Sequence, residues 1–287
     1  MSKGAAFFAI IHNIIVWPLT WGSVTRLAYN FTQSPYSKLL LGLYAKLYKV
    51  NIAEMEYSIN AYPTIAALFE RRLKQGKRPI CPFENSIVSP VDAIVTSMGM
   101  IGEQTVLKAK GKEYALCCIL QNSRQALQFI GGQYVVLYLP VGAYHRVHSP
   151  ADARVIAEKH IAGRHFPLYD LSERSIRKIY SRNTRHISLL CLGAKGAGSI
   201  RRRNLKTGRR AAQIAMVQIA STLVGTIENR FTAAEVAETR PNVRKGEEFS
   251  VFKFGSTVIL FFTPEIKICE SIKVGDSVKM GEKIAYR

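Results

Sequence analysis

Acidic residues are outnumbered two to one by basic ones in this 287-residue chain: 20 Asp and Glu stand against 40 Lys and Arg, a formal net charge of +20. That imbalance points to a polyanionic neighbour, either nucleic acid or an anionic membrane surface. Cysteine is also sparse. Cys81, Cys117, Cys118, Cys191 and Cys269 are odd in number and show no Cys-x-x-Cys spacing, which excludes a disulfide framework or thiolate zinc site and reads as reduced thiols of a cytosolic protein. No apolar run reaches the roughly 20 residues that a membrane-crossing helix needs. No small-x-small cleavage site precedes Trp17-Pro18, so a signal peptide is the weaker reading of the apolar start. A basic stripe with interleaved aromatics, the mark of a nucleic-acid interface, is also missing.

What is present divides near residue 80. Ala5 to Trp17 is apolar but short, as expected of a segment lying on a membrane rather than crossing it. From Pro35 to Val50, Tyr36, Leu39, Leu40, Leu43, Tyr44 and Leu47 share one helical face, with Lys38, Lys46 and Lys49 opposite. This predicts an amphipathic helix that either covers the protein's own core or docks on a bilayer. Beyond residue 80, short β-branched and aromatic runs predict strands at Ala93–Ser97, Tyr134–Leu139, Ala153–Glu158, Ile187–Leu192, Ile214–Ala220, Leu223–Ile227 and Val258–Phe262. Residues 272–285 alternate strand and glycine turn, like the closing hairpins of biotinyl/lipoyl sandwiches, but lack a carrier lysine tripeptide. The expected fold is α+β: N-terminal amphipathic helices (1–80) on a mostly antiparallel β body (81–287) with a barrel-sandwich-like C-terminal part. Arg201 to Arg210 holds the densest basic run, between a glycine-rich stretch and an apolar one. It reads as an exposed loop that is either simply solvated or drawn to anionic lipid.

Three short segments carry chemistry. Gly255-Ser256 opens an apolar strand, and a serine hydroxyl there can attack the unhindered glycine carbonyl before it. His145 and His148, in Tyr144-His145-Arg146-Val147-His148, follow another strand and can reach one pocket, where an imidazole takes and returns the proton. As a metal site this pair lacks a third ligand, and no metal is expected. Asp92, in Ser89-Pro90-Val91-Asp92, is the candidate to orient the histidine, as the acid of a hydrolase triad does. Each segment alone is commonly structural. Their joint presence distinguishes a self-processing enzyme from a basic nucleic-acid-binding protein or a β-sandwich interaction module.

Together these segments resemble the pyruvoyl-dependent phosphatidylserine decarboxylase family, over nearly the whole chain. The likeness includes Phe69-Glu70-Arg71-Arg72-Leu73-Lys74, Arg78-Pro79-Ile80 and Lys108 to Tyr114. Two departures are Phe254, where bacterial members usually carry leucine, and Ala93, where glycine is common. The resemblance implies serinolysis at Gly255-Ser256 by Ser256, with His148 oriented by Asp92 as base, giving a large subunit (1–255) and a small one (256–287). Ser256 becomes a covalent pyruvoyl group, so no external cofactor is needed. This group forms a Schiff base with the amine of phosphatidylserine, and His145 returns the proton after carbon dioxide leaves. The implied setting is a homo-oligomer bound peripherally to anionic phospholipid on the cytoplasmic face of the inner membrane, without nucleic acid. A pyruvoyl decarboxylase of a soluble amino acid is the nearest rival, but it would have little use for the apolar N-terminal arm.

Overall fold

A computed structural model describes residues 22–103, 106–109, 112–168, 176–193, 211–221, 227–253 and 256–287. The apolar run Ala5–Trp17, the basic run 201–210, residues 222–226 of the expected strand Leu223–Ile227, and Gly255 lie outside them.

The chain begins with helices α1 (Gly22–Gln33), α2 (Leu41–Leu47) and α3 (Ile65–Phe69). Strands β1 (Ser86–Val88), β2 (Ala93–Met100), β3 (Val106–Ala109) and β4 (Lys112–Ala115) follow. Helices α4 (Leu116–Leu120) and α5 (Ser123–Ala126) lead to β5 (Gln133–Leu139), β6 (Arg146–His148) and β7 (Ala153–Ile161). After α6 (Ile179–Arg182) come β8 (Arg185–Leu192), β9 (Gln213–Ala220) and β10 (Ile227–Asn229). The remainder is α7 (Ala233–Thr239), β11 (Asn242–Val243), β12 (Glu248–Phe252), β13 (Ser256–Phe262), β14 (Lys267–Ile268), β15 (Ser277–Val278) and β16 (Lys283–Tyr286).

Every pairing between these strands is antiparallel, as expected, and the described sheets close no barrel. Eight strands form one sheet in the order β11-β7-β8-β9-β13-β5-β2-β15, while β10-β12-β6 and β1-β16-β14 form two smaller ones. β13 lies in the middle of the large sheet, so both its faces are covered. Val258, Leu260 and Phe262 join one core cluster while Ile259 and Phe261 join the other, as period-two alternation requires. A continuous apolar sequence is what a strand buried on both faces needs.

Leu41, Tyr44, Ile65, Leu68 and Phe69 pack in the same cluster as Val258 and Leu260, so the N-terminal helices rest on the β body. The expected helix over 35–50 is broken. Pro35–Leu40 forms a 3₁₀ turn capped by Ser34, and regular α-helix runs only from Leu41 to Leu47. Ser37 causes the change: buried, it donates to the Ser34 carbonyl (2.7 Å) and accepts from Ile65 N–H (3.0 Å), tying the tight turn to α3. Through this phase shift Leu41, Tyr44 and Ala45 face inward. Tyr36, Leu39, Leu43 and Leu47 remain 63–86% exposed.

Candidate active site

β5 ends at Leu139, which pairs with Ser256 of β13, and the chain then turns through 140–143 into Tyr144 and His145. The turn is pinned from the helical side. Arg71, 4% exposed, donates from Nη2 to the carbonyls of Gly142 (2.6 Å) and Ala143 (3.0 Å). Residue 142 must be glycine, because a Cβ there would lie 1.9 Å from the Tyr48 carbonyl oxygen.

His145 is fully buried, its ring stacked on Phe69 with centroids 3.9 Å apart. Its Nδ1 lies 3.0 Å from the Ala143 carbonyl, the same oxygen that Arg71 approaches. A carbonyl only accepts, so Nδ1 carries the proton and Nε2 is a bare lone pair. That Nε2 has no partner among the described residues. Burial, with the Arg71 cation nearby, pushes the imidazole down to about 3, so it is neutral at physiological pH.

His148 is held differently. Its Nδ1 meets the Gly246 carbonyl at 2.8 Å, and its Nε2 meets the buried Tyr144 hydroxyl at 3.0 Å. By the same reasoning Nδ1–H donates to the carbonyl and the phenol donates to Nε2. Burial lowers the His148 pKa, opposed by the Gly246 carbonyl and the charges of Glu248 and Asp92. β6 and β12 pair so that the backbone N–H of Phe252 donates to the His145 carbonyl (3.1 Å), four residues before Ser256. The histidine segment and the strand leading to the Gly-Ser step are therefore neighbours in space.

Asp92 sits beside this segment, since His148 N–H donates to the Pro90 carbonyl (2.9 Å). Its carboxylate, however, takes a two-pronged ion pair from Arg78 and the Met280 N–H at 2.9 Å; it does not contact the His148 ring. The tautomer of His148 is thus fixed by Gly246, while Asp92 acts on it only as a nearby charge. Ser256 heads β13 between Leu139 and Ala220, and Gly255 lies outside the described residues. Arg71, Phe69, Arg78, Tyr144 and Gly246 had no assigned roles from sequence. Their signal was adjacency: four lie in the segments that carry the resemblance. No group of three His, Cys, Asp or Glu among the described residues is placed to hold a metal.

The depressed pKa of His145 has a measurable consequence. Below an unfolded value near 6.5 the unfolded chain takes up a proton that the folded site refuses until about 3. Stability contributed by neutral His145 is therefore full above 6.5 and falls as pH drops, at up to about 1.4 kcal/mol per pH unit. Urea unfolding at pH 6.5 and 5 is expected to show about 2 kcal/mol of this loss, and His145→Gln should reduce the pH slope. His186, held down to about 4 by burial, adds a slope of the same sign.

The family model for phosphatidylserine decarboxylase matches residues 65–286. Relatives named phosphatidylserine decarboxylase proenzyme include one from Anoxybacillus flavithermus, 33% identical over 83% of this chain and 80% of its own length. Others are from a Geobacillus species (34%, covering 89% and 90%) and Bacillus cereus (34%, covering 90% and 90%).

Proposed function

We infer the function from descent: this chain belongs to the phosphatidylserine decarboxylase family. It is a decarboxylase that converts phosphatidylserine to phosphatidylethanolamine and carbon dioxide. The comparisons lend no support to a nucleic-acid-binding protein or a decarboxylase of a soluble amino acid.

The chain is a precursor that cuts itself at Gly255-Ser256. Ser256 Oγ attacks the Gly255 carbonyl while His148 Nε2 takes its proton, once the Tyr144 hydroxyl turns aside, and the peptide becomes an ester. The charge of Asp92 favours the resulting imidazolium. Loss of the Ser256 α-proton then expels the Gly255 carboxylate, and the dehydroalanine left behind takes up water and releases ammonia. The pyruvoyl group so formed supplies a sink for the electrons left when carbon dioxide departs. The surrounding residues fit it: residue 256 is held by strands on both sides, and His145 offers a buried nitrogen with no other partner among the described residues. An anionic substrate raises the His145 pKa and lets it carry the proton that replaces the lost carboxylate.

The observation that carries this reading is the Phe252 N–H to His145 carbonyl bond, which joins the histidine segment to the strand entering the cut. Intact-mass analysis of the purified protein, with carbon dioxide release from phosphatidylserine vesicles, tests it. Two chains joining at 255/256 and measurable decarboxylation are expected; one intact chain with an ordinary serine would overturn it.

The proposed division puts membrane docking in residues 1–80 and catalysis in 81–287, with Phe69, Arg71 and Arg78 of the first part also bracing the histidine segment and Asp92. Among the described residues no helix is long and apolar enough to cross a membrane. The exposed ridge of Tyr36, Leu39, Leu43 and Leu47, with exposed Lys38, Lys46 and Lys49, supports peripheral docking on anionic lipid at the cytoplasmic face of the inner membrane. This ridge lies on the back of the catalytic turn, where Tyr44 packs against residue 141 and the Tyr48 carbonyl against Gly142. Docking would therefore bring the histidine segment to the headgroup layer, where homo-oligomers of the processed enzyme are proposed to work. Leu39→Glu with Leu43→Glu should lower partitioning onto anionic vesicles more than tenfold, since each leucine buried in an apolar phase contributes about 1.5–3 kcal/mol. Unchanged sedimentation with vesicles would dismiss the ridge as a docking surface.

A further inference from the structure

A second polar cluster lies on the face of the large sheet that residue 256 shares. Thr184, Ala220 and Ser256 stand side by side on neighbouring strands, with Ala220 N–H donating to the Thr184 carbonyl (2.9 Å) and Ala220 paired to Ser256. Thr184 is thus two strand spacings, roughly 10 Å, from residue 256. It opens a cavity of about 620 Å³ walled by Glu158, His160 and His186 from the large sheet and by Asn229 and Phe231 from the far side.

The register explains the cluster. His160 on β7 is directly opposite His186 on β8, with ring centroids 4.8 Å apart, and Glu158 lies opposite Ser188 two residues further in. Alternation puts Glu158 and His160 on one face of β7. Glu158 is only 9% exposed; its Oε2 accepts from Asn229 Nδ2 at 3.1 Å and the Ser188 hydroxyl supports the carboxyl, while His186 Nδ1 is buried without a partner among the described residues. No lysine or arginine among the described residues is bonded to Glu158. Burial raises its pKa to about 8, and His186 stays neutral. Lys159 also lines the cavity, but alternation sets it on the other face of β7 from Glu158, and its Nζ donates to the Gln121 carbonyl (3.2 Å). The Glu158 carboxyl is therefore not answered by a cation from among the described residues. A buried carboxylate ionises readily only beside a positive charge, so the complementary ligand brings N–H donors and a cation. A carboxylate on that ligand would face the Glu158 carboxyl and be rejected.

We propose that this cavity binds a primary ammonium group with no carboxylate beside it, as in ethanolamine or an ethanolamine phospholipid headgroup. Resting on the reaction assigned above, it is a subsite that prefers the product headgroup to the serine headgroup of the substrate. Binding requires Glu158 to ionise, so a proton is released below about pH 8.

The test uses the full-length Ser256→Ala chain, which has no ketone for an amine to condense with and performs no reaction. Its failure would leave the decarboxylase reading intact. Calorimetric titration at pH 7 in two buffers of different ionisation enthalpy compares ethanolamine, short-chain phosphatidylethanolamine and L-serine. Expected are ethanolamine or the lipid binding with release of up to one proton, L-serine binding at least tenfold more weakly, and a further tenfold or greater loss in Glu158→Gln. Tighter binding of the lipid than of free ethanolamine would identify the headgroup as the ligand; equal binding would identify the small amine. The ethanolamine-to-serine ratio needs no change to the pocket, so it stands even if Glu158→Gln folds poorly. Equal affinity for serine and ethanolamine, no binding of either amine, or an unaltered Glu158→Gln would overturn the proposal.

Discussion

Ser256→Ala is expected to run as one chain of about 32.1 kDa where the parent gives two, and to release no carbon dioxide from phosphatidylserine. The neighbouring hydroxyl cannot replace it. Thr257 follows it, but successive residues of a strand point to opposite faces. Thr257 Oγ1 is itself fully buried without a partner, so it is turned away from the face that residue 256 shares with Ala220 and Leu139. Removing one oxygen at the head of β13 leaves that strand's ladder intact, and unfolding stability should stay within about 1 kcal/mol of the uncut parent. The loss is then chemical rather than structural. In the parent, residues 256–287 should remain bound after the cut: β13 lies between β9 and β5, β15 pairs with β2, and β16 pairs with β1. A denaturing gel with intact-mass measurement reads the outcome, and normal maturation of Ser256→Ala would place the cut elsewhere.

The long strands of the large sheet were legible because each follows a local rule, whereas short ones such as Glu248–Phe252 and Arg146–His148 were not. Val258–Phe262 is a buried central strand extended only to Ser256, and Tyr134–Leu139 and Ile214–Ala220 each gain one residue. The helical stripe over 35–50 was legible as a pattern but not as a single helix, because the break depends on Ser37 bonding to Ile65, 28 residues away. The site shows the same limit. His145 and His148 stand out by type and spacing, but what distinguishes them comes from afar. Gly246 is 98 residues from His148, and Arg71 reaches carbonyls 71 and 72 residues on. Asp92 was chosen as the histidine's partner because an acid is needed. Its actual bonds go to Arg78 and to Met280, 188 residues later, and no local pattern encodes them. The Glu158 cavity was invisible for a related reason: β7, β8 and β10 assemble it, and its acid reads along the chain as one charge in an ordinary strand.

The two histidines should separate in their variants. His148→Ala is expected to stay uncut, whereas His145→Ala should mature and then release carbon dioxide about 10²–10⁴-fold more slowly, the usual contribution of a positioned acid or base. Before the cut, a base effective near neutral pH is required. His145, driven down to about 3, is a feeble one, while at His148 the Gly246 carbonyl and two nearby carboxylates work against the effect of burial. The Tyr144 hydroxyl covering His148 Nε2 is a single rotor, and turning it exposes the lone pair without moving the ring. Tyr144→Phe should therefore still mature, which distinguishes a cover from a required relay. After the cut the demand reverses: a proton must be delivered, and a histidine that holds one weakly is a strong donor once an anionic headgroup has charged it. His145 meets that demand, with Phe69 and the Ala143 carbonyl keeping its ring in place. The decisive pair of measurements is the cut fraction and the single-turnover rate for each variant. An uncut His145→Ala chain, together with a matured His148→Ala chain, would exchange the two roles.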